Sequence, residues 1–318
     1  MKSLFFLNIY IFKMFQFWKK LFSFFWTKSE SDPKAADAVA QRELVSTNSP
    51  LSLSFSGSGF LSLYQIGAVK ALLEQAPEIL TLAPKVYGAS AGSLVAAAVV
   101  FKVNLDDILN ILLNAATEAR KTTLWPLCPR FNLIKNLHKS LLHLLPDNAH
   151  QMATGRLFVA LTRLSDLKDI MVSDYKSKEE VVQVLICSCF VPFYCGIVPP
   201  SFRGVRYFDG GCTNFHPFVN LNSILTVSPF SGEIDICPRD CPVSFCVFVL
   251  NASFQLSIEN LRRVIYALFP PRTMVLNEYY CRGYKDAVIF LNHMSKNRGC
   301  GRMPKKAMKS DLKTRTLK

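Results

Sequence analysis

The stretch K-V-Y-G-A-S-A-G-S-L-V-A-A-A-V-V-F, residues 85–101, decides the fold of this chain. A short β-prone run precedes a group of small residues, which open into an apolar segment rich in the helix formers Ala and Leu. Strand, tight turn and helix in this order are typical of a nucleophile elbow, whose strained turn needs Gly88 and Gly92 beside it. The stretch therefore predicts Ser90 as a nucleophile, although G-x-S-x-G also arises by chance in turns of small residues.

A second glycine-rich turn lies upstream, between a strand predicted at residues 51–55 and a helix. Such a turn presents backbone N–H groups at the positive end of the helix dipole, which favours an anion. A dinucleotide site would need a third glycine where Ser62 stands, and an acidic residue after the second strand. Because neither is present, we expect an oxyanion hole built from the amides of Gly57, Ser58 and Gly59.

A third strand-like run delivers Asp209 onto Gly210 and Gly211. The paired glycines leave little crowding around the carboxylate, which suits a base that must approach a serine closely. Two alternatives stay open at this point. Asp-Gly-Gly is also an ordinary turn, and a Ser-His-Asp triad would use His216 or His293.

The remaining pattern alternates between helices and strands, which is typical of an α/β domain. Half of the chain is hydrophobic, so its 318 residues can bury a full core in one domain. The apolar stretch 190–200 carries three prolines and is predicted as a buried loop or a lipid-facing rim. Helices are predicted at 61–75, 105–120, 134–145, 181–187, 256–268 and 276–292, and strands at 156–162, 170–174, 205–208, 223–227 and 243–250.

The three motifs, in this order and on these elements, resemble the glycine loop, nucleophile elbow and catalytic aspartate of the patatin-like phospholipases. Over roughly residues 51–292 the chain is similar to the animal adipose triglyceride lipase and adiponutrin subgroup, for example at C-S-C-F-V-P-F-Y-C-G, residues 187–196. The resemblance implies a patatin-like three-layer α/β/α sandwich with a mainly parallel central sheet. It also implies a dyad of Ser90 and Asp209 that works through an acyl-enzyme, without a cofactor or a metal.

The substrate that the resemblance implies is a lipid ester. We expect a lipid acylhydrolase acting on neutral glycerolipids such as triacylglycerol. The alternatives are a transacylase that moves the acyl group to an ω-hydroxyceramide, and a non-catalytic protein of the lipid-droplet surface. Residues 215–217 read Phe-His-Pro where the lipases of the family have Asn-Leu-Pro, and this departure weakens the expectation of plain triglyceride hydrolysis.

The two ends of the chain indicate where it works. Residues 1–26 are aromatic and apolar but carry interspersed lysines, which favours an interfacial helix over a spanning one, with a signal peptide as the alternative. A linker completes the N-terminal segment 1–50, and a basic tail, 293–318, follows the lipase-like domain at 51–292. Of the net charge of +14, residues 296–318 supply +8, which suits an anionic membrane or simply a solvated tail.

Other classes of partner are not indicated. The sequence contains no recognised nucleic-acid-binding motif, so we expect no nucleic-acid partner. The ten cysteines show no C-x-x-C pair and no ligand spacing with histidine, which favours buried thiols over a metal site. The expected partners are therefore a lipid substrate and a lipid-droplet or membrane surface on the cytoplasmic side, and a protein co-activator is compatible with the resemblance.

Overall fold

The structure is a computed structural model, and it describes residues 50–121, 133–218, 223–240 and 245–297. The aromatic N-terminal segment and most of the basic tail lie outside the described residues. The last described helix continues to Asn297, beyond the domain boundary expected at residue 292.

The described elements alternate between strands and helices, as predicted. The strands are β1 (Ser52–Phe55), β2 (Val86–Ala89), β3 (Leu157–Arg163), β4 (Asp169–Val172), β5 (Ser201–Phe202), β6 (Val205–Asp209), β7 (Ile224–Val227), β8 (Cys246–Val249) and β9 (Ala252–Gln255). The helices are α1 (Ser62–Gln75), α2 (Pro77–Thr81), α3 (Ala91–Phe101), α4 (Leu105–Lys121), α5 (Leu133–Leu144), α6 (Ala149–Ala153), α7 (Lys178–Ser188), α8 (Ile258–Leu268) and α9 (Thr273–Asn297). Short 3₁₀ turns follow β1 and β6, at Gly59–Leu61 and Gly210–Cys212.

The main sheet of the described residues has the strand order β5-β6-β3-β2-β1-β7, with β4 also paired to β3. Its centre is parallel, because β7, β1, β2 and β3 pair in the same direction. Strands β4 and β6 are antiparallel to β3, and β5 is antiparallel to β6. The expected α/β class, with a parallel central sheet flanked by helices, is confirmed.

The core lies between the parallel strands and two helices. Strand β2 and helix α3 are buried along their whole length. Helix α1 is buried almost all round because α9 packs against it. The two helices come very close, since a Cβ on Gly283 would lie 1.9 Å from the carbonyl oxygen of Tyr64.

Three local features differ from the sequence interpretation or refine it. The strand predicted at 243–250 is shorter, and it forms a hairpin with β9, which was missed because the turn at Leu250 and Asn251 carries no glycine; both residues have positive φ. Helix α7 is capped by Ser177, whose hydroxyl accepts a hydrogen bond from the amide of Glu180. In the 190–200 stretch, Phe190 is buried while Ile197 is exposed, so the stretch is partly loop and partly rim.

Within the described ranges, no helix is both long enough and apolar enough to cross a bilayer. The same residues contain no cluster of His, Cys, Asp and Glu side chains suited to holding a metal ion.

Candidate active site

Ser90 occupies the turn between β2 and α3 in a strained backbone conformation, with φ 51° and ψ −133°. The glycines predicted to flank it are sterically required. A Cβ on Gly88 would lie 2.5 Å from the Cα of Ser93, and one on Gly92 would lie 2.2 Å from the carbonyl oxygen of Ser56. The turn therefore has the geometry of a nucleophile elbow, with the serine at its apex.

The hydroxyl of Ser90 donates a hydrogen bond of 2.6 Å to Oδ2 of Asp209. The other carboxylate oxygen, Oδ1, accepts a 2.8 Å bond from the amide of Gly211. The sheet brings the pair together, because Ala89 lies opposite Ala160 on one side of β3 and Leu161 lies opposite Asp209 on the other. The structure thus places the two predicted residues in direct contact, and their catalytic roles remain a prediction.

The carboxyl group of Asp209 is buried, and burial raises its pKa to about 6, although the hydrogen bonds from Ser90 and Gly211 act in the opposite direction. A carboxylate with a pKa near 6 is a stronger base than an ordinary aspartate and still ionised at neutral pH. That is the range in which a general base works best.

The glycines after Asp209 allow its close approach to the sheet. A Cβ on Gly210 would lie 1.9 Å from the carbonyl oxygen of Ala160, so any side chain there would push β6 away from β3. On Gly211 a Cβ would lie 3.0 Å from the Asp209 carboxylate itself. Both glycines that the sequence singled out are therefore needed by the packing.

Neither histidine considered for a triad reaches the pair. Both carboxylate oxygens of Asp209 have their partners in Ser90 and in the Gly211 amide, so no histidine lies between base and nucleophile. The Nε2 atom of the buried His216 lies 3.3 Å from the carbonyl oxygen of Ser54, and His293 lies on α9. In the described residues Ser90 and Asp209 are therefore in direct contact, with no histidine between them.

Ser188, at the end of α7, is a residue that the sequence interpretation missed. It is fully buried, its hydroxyl accepts a 2.9 Å hydrogen bond from the amide of Ser90, and it donates one of 2.8 Å to the carbonyl oxygen of Ala160. The hydroxyl thus ties the strained elbow to β3. Only its position in the resembling segment 187–196 could have indicated it, because nothing local to Ser188 predicts this contact.

Replacing Ser188 by Ala should lower kcat by about tenfold with little change in KM, because the elbow loses the acceptor that fixes the Ser90 amide. The buried amide left unpaired should also cost about 1–3 kcal/mol of stability. Ester hydrolysis and urea unfolding measure the two effects. Ser177→Ala is the matched control, because it removes a hydroxyl from the other end of the same helix. An equal loss of kcat in both variants would contradict a positioning role for Ser188.

The glycine loop after β1 is held in place by a second residue that was missed, Gln65 on α1. Its side-chain Nε2 donates to the carbonyl oxygen of Ser56 at 2.9 Å, and its Oε1 accepts from the hydroxyl of Ser58 at 2.9 Å. Gly59 has a φ of +50°, and a Cβ there would lie 2.1 Å from the carbonyl oxygen of Ala267. These contacts hold the loop in its observed conformation.

The expected oxyanion hole requires one correction. The amide of Gly57 already donates a 2.8 Å hydrogen bond to the carbonyl oxygen of Phe215, so it is not a free donor in this conformation. The amides of Ser58 and Gly59 have no acceptor within the described part of the chain. The amide of Ala91, at the first position of α3, has none there either, since the first N–H groups of a helix lack intrahelical partners.

Ser90 and Asp209 open onto a cavity of about 540 Å³. Such a volume lies in the range of sites for small molecules. Its walls are mostly apolar and come from α3, α4, α5, α8, the β8–β9 hairpin and the loop after α7, with side chains such as Leu94, Leu112, Ile134, Tyr194 and Phe254. The glycine loop lines the same cavity. An apolar chamber with a serine–carboxylate pair and free amides at one end suits the acyl chain of an ester.

The cavity also contains three thiols, of Cys189, Cys195 and Cys212. Burial raises the pKa of each thiol, that of Cys195 to about 12. All three are therefore protonated at neutral pH and do not compete with Ser90 as nucleophiles.

Comparison with known proteins gives the family. A family model described as "Patatin-like phospholipase" matches residues 53–221. The chain is 46% identical over 249 residues to the Homo sapiens protein "Omega-hydroxyceramide transacylase", covering 78% of this chain and 47% of that protein. It is 45% identical over 240 residues to Mus musculus patatin-like phospholipase domain-containing protein 2, covering 75% and 49%. It is 43% identical over 260 residues to the Homo sapiens protein "1-acylglycerol-3-phosphate O-acyltransferase PNPLA3", covering 81% and 53%.

The chain spans about half of the length of these relatives. The matched residues contain the glycine loop, the elbow at Ser90 and the aspartate at 209, and the family model covers more than half of the chain. This chain therefore belongs to the patatin-like phospholipase family.

Proposed function

We propose that this protein cleaves carboxylic esters of neutral glycerolipids, triacylglycerol in particular, through an acyl-enzyme on Ser90. The observation that carries the proposal is the 2.6 Å hydrogen bond from Ser90 Oγ to Asp209 Oδ2 at the end of an apolar cavity. A serine bonded to a buried carboxylate is an activated nucleophile, and the cavity supplies room for a long acyl chain.

The proposed reaction has two halves. Asp209 takes the hydroxyl proton while Ser90 Oγ attacks the ester carbonyl, and the oxyanion forms beside the amides of Ser58 and Gly59 with Ala91 as a third donor. The proton then passes from Asp209 to the leaving alcohol as the acyl–oxygen bond breaks. In the second half, Asp209 takes a proton from water, whose oxygen attacks the acyl-enzyme, and the proton returns to Ser90 as the fatty acid leaves.

The second candidate is transacylation, in which a lipid hydroxyl takes the place of water. The relative named omega-hydroxyceramide transacylase and the largely apolar walls of the cavity favour it, because an acyl-enzyme shielded from water survives until a lipid alcohol arrives. A non-catalytic surface protein is less favoured, since both residues of the dyad are present and in contact.

One assay separates these functions. Purified protein is incubated with labelled triolein, with and without an ω-hydroxylated ceramide, and the products are scored as free fatty acid or acylated ceramide. Fatty acid alone supports the hydrolase, and label on the ceramide supports the transacylase. Absence of both products, or equal turnover by Ser90→Ala, would reject the proposed chemistry.

The rate of ester cleavage should rise about tenfold per pH unit up to about pH 6 and level off above it. Asp209 must be ionised to take the proton, and its pKa is about 6 in the folded chain. A soluble short-chain ester measures the profile without changes in lipid packing, and circular dichroism at each pH shows that the fold persists. A flat profile from pH 5 to pH 8 would exclude Asp209 as the base.

We further propose that the protein attaches peripherally to lipid droplets or cytosolic membrane faces through residues 1–26 and the basic tail. Deleting 1–26 should reduce flotation with neutral liposomes most, while deleting 296–318 should reduce binding to anionic liposomes at low salt. Binding by both deletions at the level of the full chain would show that neither segment is needed. A protein co-activator remains part of this proposal as a partner to be tested by reconstitution.

A further inference from the structure

Helix α8 (Ile258–Leu268) has its apolar side turned away from the protein. At helical spacing, Ile258, Leu261, Val264, Ile265 and Leu268 form one continuous stripe, and all five side chains are exposed. We call these five residues the docking face. Helices on globular proteins normally bury such a stripe, so an exposed one marks a surface that something else covers.

Polar contacts fix this orientation of the helix. The face toward the protein carries Asn260 and Arg263, both buried. Arg263 makes two hydrogen bonds of 2.6 Å to the carboxylate of Asp240, and Asn260 donates 2.8 Å bonds to the carbonyl oxygens of Ser231 and Gln255. Rotating the helix to bury its apolar stripe would break the ion pair between Arg263 and the buried side chain of Asp240 and would remove the backbone partners of the Asn260 amide, which is unfavourable.

The docking face is continuous with the candidate active site. Val264 and Leu268 belong to the exposed stripe and also line the cavity that holds Ser90. At its other end the stripe continues through exposed Leu256 to exposed Phe245, whose backbones are joined by a 2.8 Å hydrogen bond. A lipid in contact with this surface is therefore beside the entrance to the cavity.

We propose that the docking face inserts into a zwitterionic phospholipid surface and so delivers the cavity to its lipid substrate. The inference deepens the proposed function and rests on it for the identity of that substrate. A protein or a second copy bound to the same side chains would cover Val264 and Leu268 and close the entrance to the cavity. A lipid surface would cover the same side chains and could also supply substrate molecules to the cavity. The exposed charges on α8, from Glu259 and Arg262, cancel, so burial of apolar side chains rather than attraction to anionic lipid drives docking.

The test uses phosphatidylcholine vesicles in high salt, which suppresses binding by the basic tail. Each variant is made in the full chain, where quenching is measured, and in the chain lacking residues 1–26, where flotation is scored because the other proposed anchor is absent. The variant Leu261→Gln/Ile265→Gln changes two residues of the docking face that do not line the cavity, and Gln keeps a good helix propensity. The matched control is Leu82→Gln, because Leu82 and Leu261 are both 62% exposed and Leu82 precedes β2, at the opposite end of that strand from Ser90. We expect about a tenfold or greater loss of flotation for the double variant and none for the control.

A second measurement locates the contact independently of other anchors. Ile258→Trp and Leu82→Trp are compared with brominated phosphatidylcholine, which quenches a tryptophan that enters the acyl region. Additional quenching in the Ile258→Trp variant alone supports the proposal. Equal quenching in the two tryptophan variants overturns the proposal. Equal flotation of the native sequence and the double variant also overturns it. A double variant that floats normally but loses self-association would show instead that a second copy covers the docking face.

Failure of the docking face and failure of the proposed function are distinguishable. Hydrolysis of a soluble short-chain ester by the native chain reports on Ser90 without any lipid surface. Ester hydrolysis together with unchanged flotation of the double variant would reject docking alone. Lost flotation together with no hydrolysis of any ester would keep the docking face and reject the function.

Discussion

Replacing Ser90 by Ala or Asp209 by Asn should lower turnover of a carboxylic ester by roughly 10⁴-fold or more, because each change removes one of the two groups between which the proton is expected to pass. The double variant should be no worse than either single variant, since neither residue has a catalytic role left once the other is gone. Turnover per folded molecule is measured with a soluble ester, and circular dichroism confirms that each variant folds.

One Ser→Ala and one Asp→Asn substitution away from the cavity serve as controls for this result. Ser177→Ala removes a capping hydroxyl, and Asp166→Asn removes an exposed carboxylate paired with Arg163, and neither residue lines the cavity. Both controls should retain nearly full turnover. Substantial turnover in Ser90→Ala would contradict the nucleophile, and additive losses in the double variant would show that Ser90 and Asp209 act separately.

Ionisation of the buried Asp209 carboxyl should also lower the stability of the folded protein. Burial raises the pKa of Asp209 from 3.8 to about 6, so the folded chain holds this proton more tightly than the unfolded chain does. The contribution of Asp209 to the free energy of unfolding therefore falls as the pH rises from about 4 to about 6 and is level above that. A shift of about two pKa units corresponds to about 3 kcal/mol.

Asp209→Asn lacks this titration, so relative to the native chain it should gain about 3 kcal/mol of stability between pH 4 and pH 7. Urea unfolding at several pH values measures the difference, in which the titrations of all other groups cancel. Asp166→Asn is a control that should show no change over this range, because hydrogen bonding to Arg163 lowers the pKa of Asp166 to about 2 and its titration lies below about pH 4. A pH-independent difference for Asp209→Asn would contradict the buried-charge account.

The local motifs were readable from the sequence because each depends on residues close together in the chain. Gly88 is required by a contact within a few residues, against Ser93, whereas Gly92 is required by its approach to Ser56 on the neighbouring strand and was recognised from the motif alone. Strand and helix patterns in this region follow from periodicity, and most predicted elements are present. The resemblance to a family then assigned Ser90 and Asp209 to one site, although they lie 119 residues apart in the chain.

Sequence reasoning could not have placed Asp209 at the level of Ser90 by strand order alone. The carboxyl ends of parallel strands share one edge of a sheet, but β6 runs antiparallel to β3. Asp209 reaches the elbow because β6 ends opposite Leu161, next to the position where β3 meets β2. The direction and register of a strand depend on its partners, which no local pattern specifies.

Tertiary contacts likewise decided which groups surround the dyad. The bond between Gly57 and Phe215 that removes one expected oxyanion donor joins segments far apart in the chain. The Ser188 hydroxyl reaches the Ser90 amide from α7 in the same way. A helix at 256–268 was predicted from the sequence, but such a prediction does not say which side of the helix faces inward. In the structure that side was set by Arg263, because turning the apolar stripe inward would break its ion pair with the buried side chain of Asp240.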